Sequence, residues 1–190
     1  MTTEITKVFL DDGIRFDIPK NSVGLTGLDH VGMAVHDPLK SAKFVEQILG
    51  GVEVYRAGWD AEDIKLGRPQ HIFFHVGTTL LEIAKPKDDK SYPDLETLEP
   101  QPHYAFGATA EGVLQFADHL KDQGIPFDGP RSHRGMSAVS VYFRDLDGNN
   151  LEVTTWEEVP EDKVTPMGGP FGFPQWPALL HNWTPRDQES

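Results

Sequence analysis

The 190-residue chain contains no cysteine. Disulfides and thiolate-bound metal are therefore excluded outright, and imidazole and carboxylate remain as the principal metal ligands. Positive charge is also scarce, with 17 Lys and Arg against 30 Asp and Glu and a net charge of −13. Nucleic-acid backbones and anionic membrane surfaces are bound by clustered positive charge, so neither is expected as a partner. A small, neutral or weakly charged molecule fits this balance better. No apolar run is long enough to cross a bilayer, and the opening residues 1–7 lack the basic start and apolar stretch of a secretory signal. A cytoplasmic protein is the expectation that follows.

Against these absences stand two matched pairs of residues. His30 and His103 each open a short apolar run, and Glu82 and Glu152 each lie in a later one. The two His-to-Glu separations are 52 and 49 residues. Two imidazoles and two carboxylates suit a divalent metal of borderline or hard character. Their near-repeat spacing points to a duplicated unit.

The rest of the chain reads in the same way. Residues 1–26 hold two apolar stretches around Asp11-Asp12-Gly13, expected as a hairpin followed by a linker. Residues 27–86 read as strand, helix and three strands. The helix, from Pro38 to Leu49, is announced by Asp37-Pro38 and stopped by Gly50-Gly51. Residues 102–157 repeat that order, with a helix carrying Val113, Phe116, Ala117 and Leu120 and ending at Gly124, then a short strand near Pro126-Phe127. The Pro- and charge-rich joint from 86 to 102 reads as a linker. Residues 158–190 form an arm rich in Pro, Gly and aromatics, expected to lie over its own domain or over a partner subunit. Alternation along the strands places Val31, Met33, Val35, Leu81 and Ile83 on one face, with Tyr104, Phe106, Val139, Val141, Phe143, Leu151 and Val153 as their counterparts. His30, Glu82, His103, Ser140, Tyr142 and Glu152 take the other. The expected fold is α+β, with two βαβββ modules (27–86 and 102–157) forming one cupped mixed sheet whose concave face carries all four ligands.

The segments Leu28-Asp29-His30-Val31-Gly32-Met33-Ala34-Val35, Thr79-Leu80-Leu81-Glu82-Ile83, Pro102-His103-Tyr104-Ala105-Phe106 and Val141-Tyr142-Phe143-Arg144-Asp145-Leu146-Asp147-Gly148-Asn149-Asn150-Leu151-Glu152-Val153 carry a resemblance. Over roughly 27–157 the chain resembles the vicinal oxygen chelate superfamily: glyoxalase I, extradiol dioxygenases, methylmalonyl-CoA epimerase, and the fosfomycin and bleomycin resistance proteins. The resemblance implies metal ligation by His30, Glu82, His103 and Glu152, with one divalent ion per site (Ni, Co, Zn, Mn or Fe). A glutamate at the second position is similar to bacterial-type glyoxalase I and implies proton-transfer chemistry (isomerase, epimerase or lyase). The substrate would be a small oxygenated molecule passing through a stabilised enediolate or oxyanion, with Glu82 or Glu152 as base. Glu53 and Glu62 are lesser candidates for the base, by analogy with the epimerases.

The alternative is a non-haem Fe(II) extradiol-type ring-cleaving dioxygenase. Such relatives carry a histidine near the position of His133 and a tyrosine like Tyr142, which makes both catalytic candidates. A further alternative is a non-catalytic binding or resistance protein, which the intact ligand set opposes. His71 and His75 read as neighbours of the cleft, His36 and His119 as exposed, and His181 as part of the arm. Trp176 and Trp183 are expected to cap the site or to bury against a partner. A homodimer is expected, with the metal held either within one chain or between two.

Overall fold

In the computed structural model the described residues are 7–10, 13–16, 28–88, 92, 102–133, 136–165 and 183–186. The N-terminal hairpin consists of β1 (Lys7–Leu10) and β2 (Gly13–Phe16), paired antiparallel.

The first module runs β3 (His30–Ala34), α1 (Pro38–Ile48), β4 (Val52–Ala57), α2 (Ala61–Leu66), β5 (His71–Val76) and β6 (Thr79–Ala84). The second runs β7 (His103–Gly107), α3 (Ala110–Asp122), β8 (Phe127–Ser132), β9 (Val139–Arg144) and β10 (Asn150–Thr155). Their sheets have equivalent orders, β3-β6-β5-β4 and β7-β10-β9-β8. In each, the first strand pairs parallel with the last, and every other contact is antiparallel. A parallel neighbour requires a crossover, and the helix supplies it. The expected single cupped sheet is therefore two sheets, each hydrogen-bonded within its own module.

Local chemistry sets the helix bounds. Asp37 accepts from the backbone N–H groups of Leu39 and Lys40, with Pro38 at the first helical position. Thr109 caps α3 by accepting from Gly112 N. Helix α2 was not expected from the sequence. Its six residues are too few for a periodic apolar signal, and it is defined by its ends: Asp60 accepts from Asp63 N, and Gly67 closes it at φ 64°. Strand β8 is longer than the short strand expected near Pro126-Phe127. Thr165 reinforces its far end, donating to Pro130 O and accepting from Ser132 N.

One continuous core joins the modules. Met33, Val35, Phe44, Leu81 and Ile83 belong to the same buried cluster as Val113, Leu120, Val141, Phe143 and Leu151. Polar ties flank it. Tyr104 Oη donates to Gly32 O at 3.2 Å, and His119 Nε2 lies 3.0 Å from Gln47 O. The turn after β9 reaches furthest: Asn149 Nδ2 donates to Ala34 O, while Asp147 meets His36 Nδ1 at 2.6 Å and accepts from Ser41 Oγ. Tyr92 stacks on His36 with ring centroids 3.6 Å apart. His36 is exposed, as expected, yet it belongs to this joint. His119, expected to be exposed, is half-buried between the helices.

Asp145 organises that turn. Its carboxyl accepts from the N–H groups of Asp147 and Asn149 and from Asn149 Nδ2. Burial outweighs those donors and, with the Asp147 charge beside it, pushes Asp145 up to about 7. An unfolded Asp titrates near about 3.9, so this group's stabilisation is complete below that pH and is lost as pH rises through about 7. Urea unfolding should accordingly show stability falling between about pH 4 and about pH 7, and Asp145→Asn, which cannot titrate, should flatten the fall. Equal pH slopes in the two proteins would exclude Asp145 as the source.

Candidate metal centre

Register brings each histidine to its glutamate. In β3–β6, Gly32 lies opposite Glu82; in β7–β10, Ala105 lies opposite Glu152. Each histidine stands two residues before that partner and so shares the glutamate's face. His30 Nε2 is 3.9 Å from Glu82 Oε2, and Asp29 Oδ1 engages the opposite ring nitrogen at 2.8 Å. His103 Nε2 is 2.9 Å from Glu152 Oε2. A Cβ on Gly32 would stand 3.1 Å from Glu82 Oε2, so glycine keeps that carboxylate's space open.

The structure thus assembles two pairs. Among the described residues, no group of three or more His, Asp or Glu is placed to hold one ion. The modules share one core and are tied by His119 to Gln47 and by the joint above, with the His30–Glu82 pair partly exposed and Glu152 nearly buried. Each pair has donor chemistry that fits a divalent cation. Ligand atoms about 2.1 Å from a metal lie about 3 Å from one another at right angles, close to the His103–Glu152 spacing.

The environments of the two glutamates differ. Glu152 is 7% exposed. Its Oε1 accepts from Ser140 Oγ at 2.6 Å and from Tyr142 Oη at 3.1 Å, leaving Oε2 towards His103. His133, buried directly after β8, places Nε2 3.0 Å from Ser140 Oγ and 3.3 Å from Tyr142 Oη. Both hydroxyl protons point to Glu152, so hydrogen-bond accounting makes His133 Nε2 the donor to these oxygens. Burial lowers the His133 pKa, against the pull of the Glu152 charge, and favours this neutral ring. Burial first, and then the Glu152 charge, raises Tyr142 well above the ordinary phenol range. Arg144 Nε donates to Asn150 Oδ1, and Arg131 pairs with Asp128 at 3.1 Å on the same face. Gly129 allows β8 to pass close by: at φ 123°, a Cβ there would meet Ser140 O at 2.4 Å.

Glu82 is looser. Its side chain is 24% exposed, and no hydrogen bond ties it to another described residue. Its surroundings are aromatic. Phe73 is directly opposite on β5, with its ring 5.5 Å from that of His30 and 5.7 Å from that of His71. Tyr55 joins at 6.2 Å from Phe73 and 6.1 Å from His71.

The remaining candidates fall as follows. His71 and His75 share the Glu82 face, His71 opposite Ala84 and His75 opposite Leu80. Glu53 lies opposite Phe74, on the core side, and its carboxylate is held by Arg56, whose guanidinium keeps it below the usual carboxylate range. It is not on the Glu82 face. Glu62 sits on exposed α2, in its first turn. Trp183 packs edge-on against Phe44 at 5.4 Å, inside this chain's own core rather than over the site. Trp176 and His181 lie outside the described residues. Sequence reasoning placed Ser140 and Tyr142 on the ligand face but gave Ser140 no role, and it missed Tyr55 and Phe73 entirely. Strict alternation from Glu53 turns Tyr55 to the core side, and only a register shift between Glu53 and Tyr55 brings it opposite Phe73.

Comparison with known proteins agrees with this architecture. The fosfomycin resistance protein FosX of Listeria innocua is 25% identical over 131 residues, covering 68% of this chain and 89% of that protein. The metallothiol transferase FosB of Staphylococcus haemolyticus is 25% identical over 131 residues, covering 69% and 84%. Among solved structures, Listeria monocytogenes FosX complexed with Mn(II) and 1S,2S-dihydroxypropylphosphonic acid shares the fold at a TM-score of 0.53 and 23% identity, covering 68% of this chain and 91% of that one. Lactoylglutathione lyase of Agrobacterium tumefaciens does so at 0.51 and 21%, covering 70% and 95%. The model of the Glyoxalase/Bleomycin resistance protein/Dioxygenase superfamily matches residues 27–153, well over half the sequence, and the chain belongs to that superfamily.

Proposed function

We propose that this chain is a subunit of a divalent-metal-dependent enzyme of the glyoxalase type, acting by proton transfer on a small oxygenated substrate. The ligand set would be His30 and Glu82 from one chain with His103 and Glu152 from a second. The observation that carries this reading is the division of four suitable donors into two pairs, each complete in its own module and neither sufficient alone. A closed pair of chains related by a two-fold axis would bring the first module of each against the second module of the other, giving two equivalent sites. The relatives support both halves of the reading in their own right: the Listeria FosX complex holds Mn(II), and the Agrobacterium protein is a lyase.

When bound, the ion would supply Lewis acidity towards the substrate's oxygens. The protein's own groups divide the remaining work. Glu152 is fixed on one oxygen by Ser140 and Tyr142, which suits a ligand that holds still. Glu82 has room above Gly32 and no comparable anchor among the described residues, which suits a base that moves a proton between neighbouring carbons. His103 and His30 would complete the ligand set beside the two carboxylates. His133, neutral and donating, supports the hydroxyls that hold Glu152.

A second reading, ring-cleaving dioxygenase chemistry with Fe(II), is favoured by one specific observation. His133 and Tyr142 form a buried, hydrogen-bonded pair against Glu152, as a catalytic acid–base pair would. Proton NMR in D2O separates the two. Exchange of the carbon-bound hydrogen of an α-hydroxy ketone, without oxygen uptake, supports proton transfer; oxygen uptake on a catechol by the Fe(II)-loaded protein, without that exchange, supports the second reading. Glu82→Gln should slow the exchange by roughly 10²–10⁴-fold even when Mn(II) is raised until the site is filled, which offsets the weaker metal binding expected from loss of a carboxylate ligand. A mutant that exchanges as fast as the wild type would remove Glu82 as the base.

Complementation tests the two-chain arrangement. Neither His30→Ala/Glu82→Ala nor His103→Ala/Glu152→Ala should retain Mn(II) on its own. Co-expressed, they should recover about a quarter of the wild-type metal content, since half the dimers are mixed and each mixed dimer has one intact site. No recovery in dimers shown by mass to be mixed would place the site within single chains.

A further inference from the structure

The open face of the first sheet has a composition that metal binding does not require. Beside His30 and Glu82 it presents Phe73, Tyr55 and His71 as contacting rings, with Leu80 and Val52 continuing the surface opposite His75. Tyr55 is 51% exposed and Val52 65%. A β-bulge turns Tyr55 onto this face, because the register shifts by one between Glu53 and Tyr55. Bulges recur where a strand must re-aim a side chain beside a site. No Lys or Arg stands among the described residues of β3, β6 and β5, and the one arginine of β4, Arg56, lies opposite Ile72 on the other face and pairs with Glu53.

We propose that the substrate carries a planar apolar group, an aromatic or conjugated ring, which lies against Phe73 and Tyr55 while its oxygens face His30 and Glu82. This names the substrate class for the metal site proposed above and rests on that reading. Ring faces and edges attract another ring beyond the gain from burial alone, and a wall of three rings offers both orientations. The same surface is unsuited to the phosphonate that the Listeria FosX structure contains. A doubly charged phosphonate is held by charge-assisted donors; the strands of this face supply none among their described residues, and the guanidinium beside the Tyr55 hydroxyl, that of Arg68, is paired with Asp63 at 2.8 Å. On the facing module, Arg131 is engaged by Asp128 and Arg144 by Asn150.

Calorimetric titration of the Mn(II)-loaded protein provides the test, using two neutral α-hydroxy ketones. Hydroxyacetone and 2-hydroxyacetophenone present the same oxygens and differ by methyl against phenyl. The phenyl compound should bind about tenfold more tightly to the wild type. In Tyr55→Ala/Phe73→Leu that preference should shrink to about twofold, with hydroxyacetone affinity and Mn(II) uptake retained as proof of an intact fold. Equal affinities in the wild type, an unchanged preference in the variant, no binding of either ketone, or tighter binding of 1,2-dihydroxypropylphosphonic acid would each overturn the proposal. Failure of the underlying metal reading shows separately, as no Mn(II) uptake before any ketone is added.

Discussion

The parallel pairing of the first and last strand in each module is the constraint on which the rest of the structure depends. Both ladders run in the same relative register, with Gly32 against Glu82 and Ala105 against Glu152. Side chains alternate with a period of two, so a slip of one residue in either ladder would send a glutamate into the core and leave its histidine behind. The register is held by what lies beneath. Leu81 and Ile83 share the buried face with Met33, and Leu151 and Val153 share theirs with Phe106 and Tyr104. Hydrophobic burial on one face thus fixes which His and Glu side chains meet on the other. The small residues after each histidine, Gly32 and Ala34 in one module and Ala105 and Gly107 in the other, keep the opposite face clear.

The duplicated modules have nevertheless become unlike. In the second, the ligand face is packed with polar groups that satisfy one another, and all six residues of β9 are buried. A buried carboxylate without donors would be costly, and Ser140 and Tyr142 meet that requirement on one oxygen of Glu152. In the first, the corresponding face is exposed and aromatic, and Glu82 has no hydroxyl partner among the described residues. Equivalent positions therefore differ in how firmly described neighbours hold them, the difference on which the roles proposed for Glu152 and Glu82 rest. The turn from Asp145 to Asn149 links the two halves, because the loop that follows β9 also grips the end of the strand that begins at His30.

Much of this was legible in the sequence because it follows from periodicity. Pairing of His30 with Glu82 and of His103 with Glu152 required only strand assignment and alternation, and the cap at Asp37 is local chemistry. What escaped was set by tertiary context. Six residues of α2 carry no measurable period. Tyr55 reached the site by a one-residue irregularity that strict alternation cannot anticipate. Trp183, read as a cap for the site or an anchor for a partner, is captured by Phe44, a contact between residues far apart in the chain. The α+β fold of two βαβββ modules is as expected, and only the division of its strands into two sheets was not legible, for a related reason. Alternation says which residues share a face but not whether two faces from different modules look towards each other.

Charge accounting gives the separated pairs a common logic. Each pair brings a carboxyl group to a protein whose net charge is already −13. Bringing two such pairs together without a cation would oppose like charges in a space too dry to screen them. A divalent ion cancels both at once, so in the proposed assembly metal binding and pairing of chains are coupled through the same charges. Each chain alone keeps its pairs apart and leaves Glu82 and His30 open to water. The ion would then act as part of the interface as well as part of the chemistry, and the affinity of either event would depend on the other.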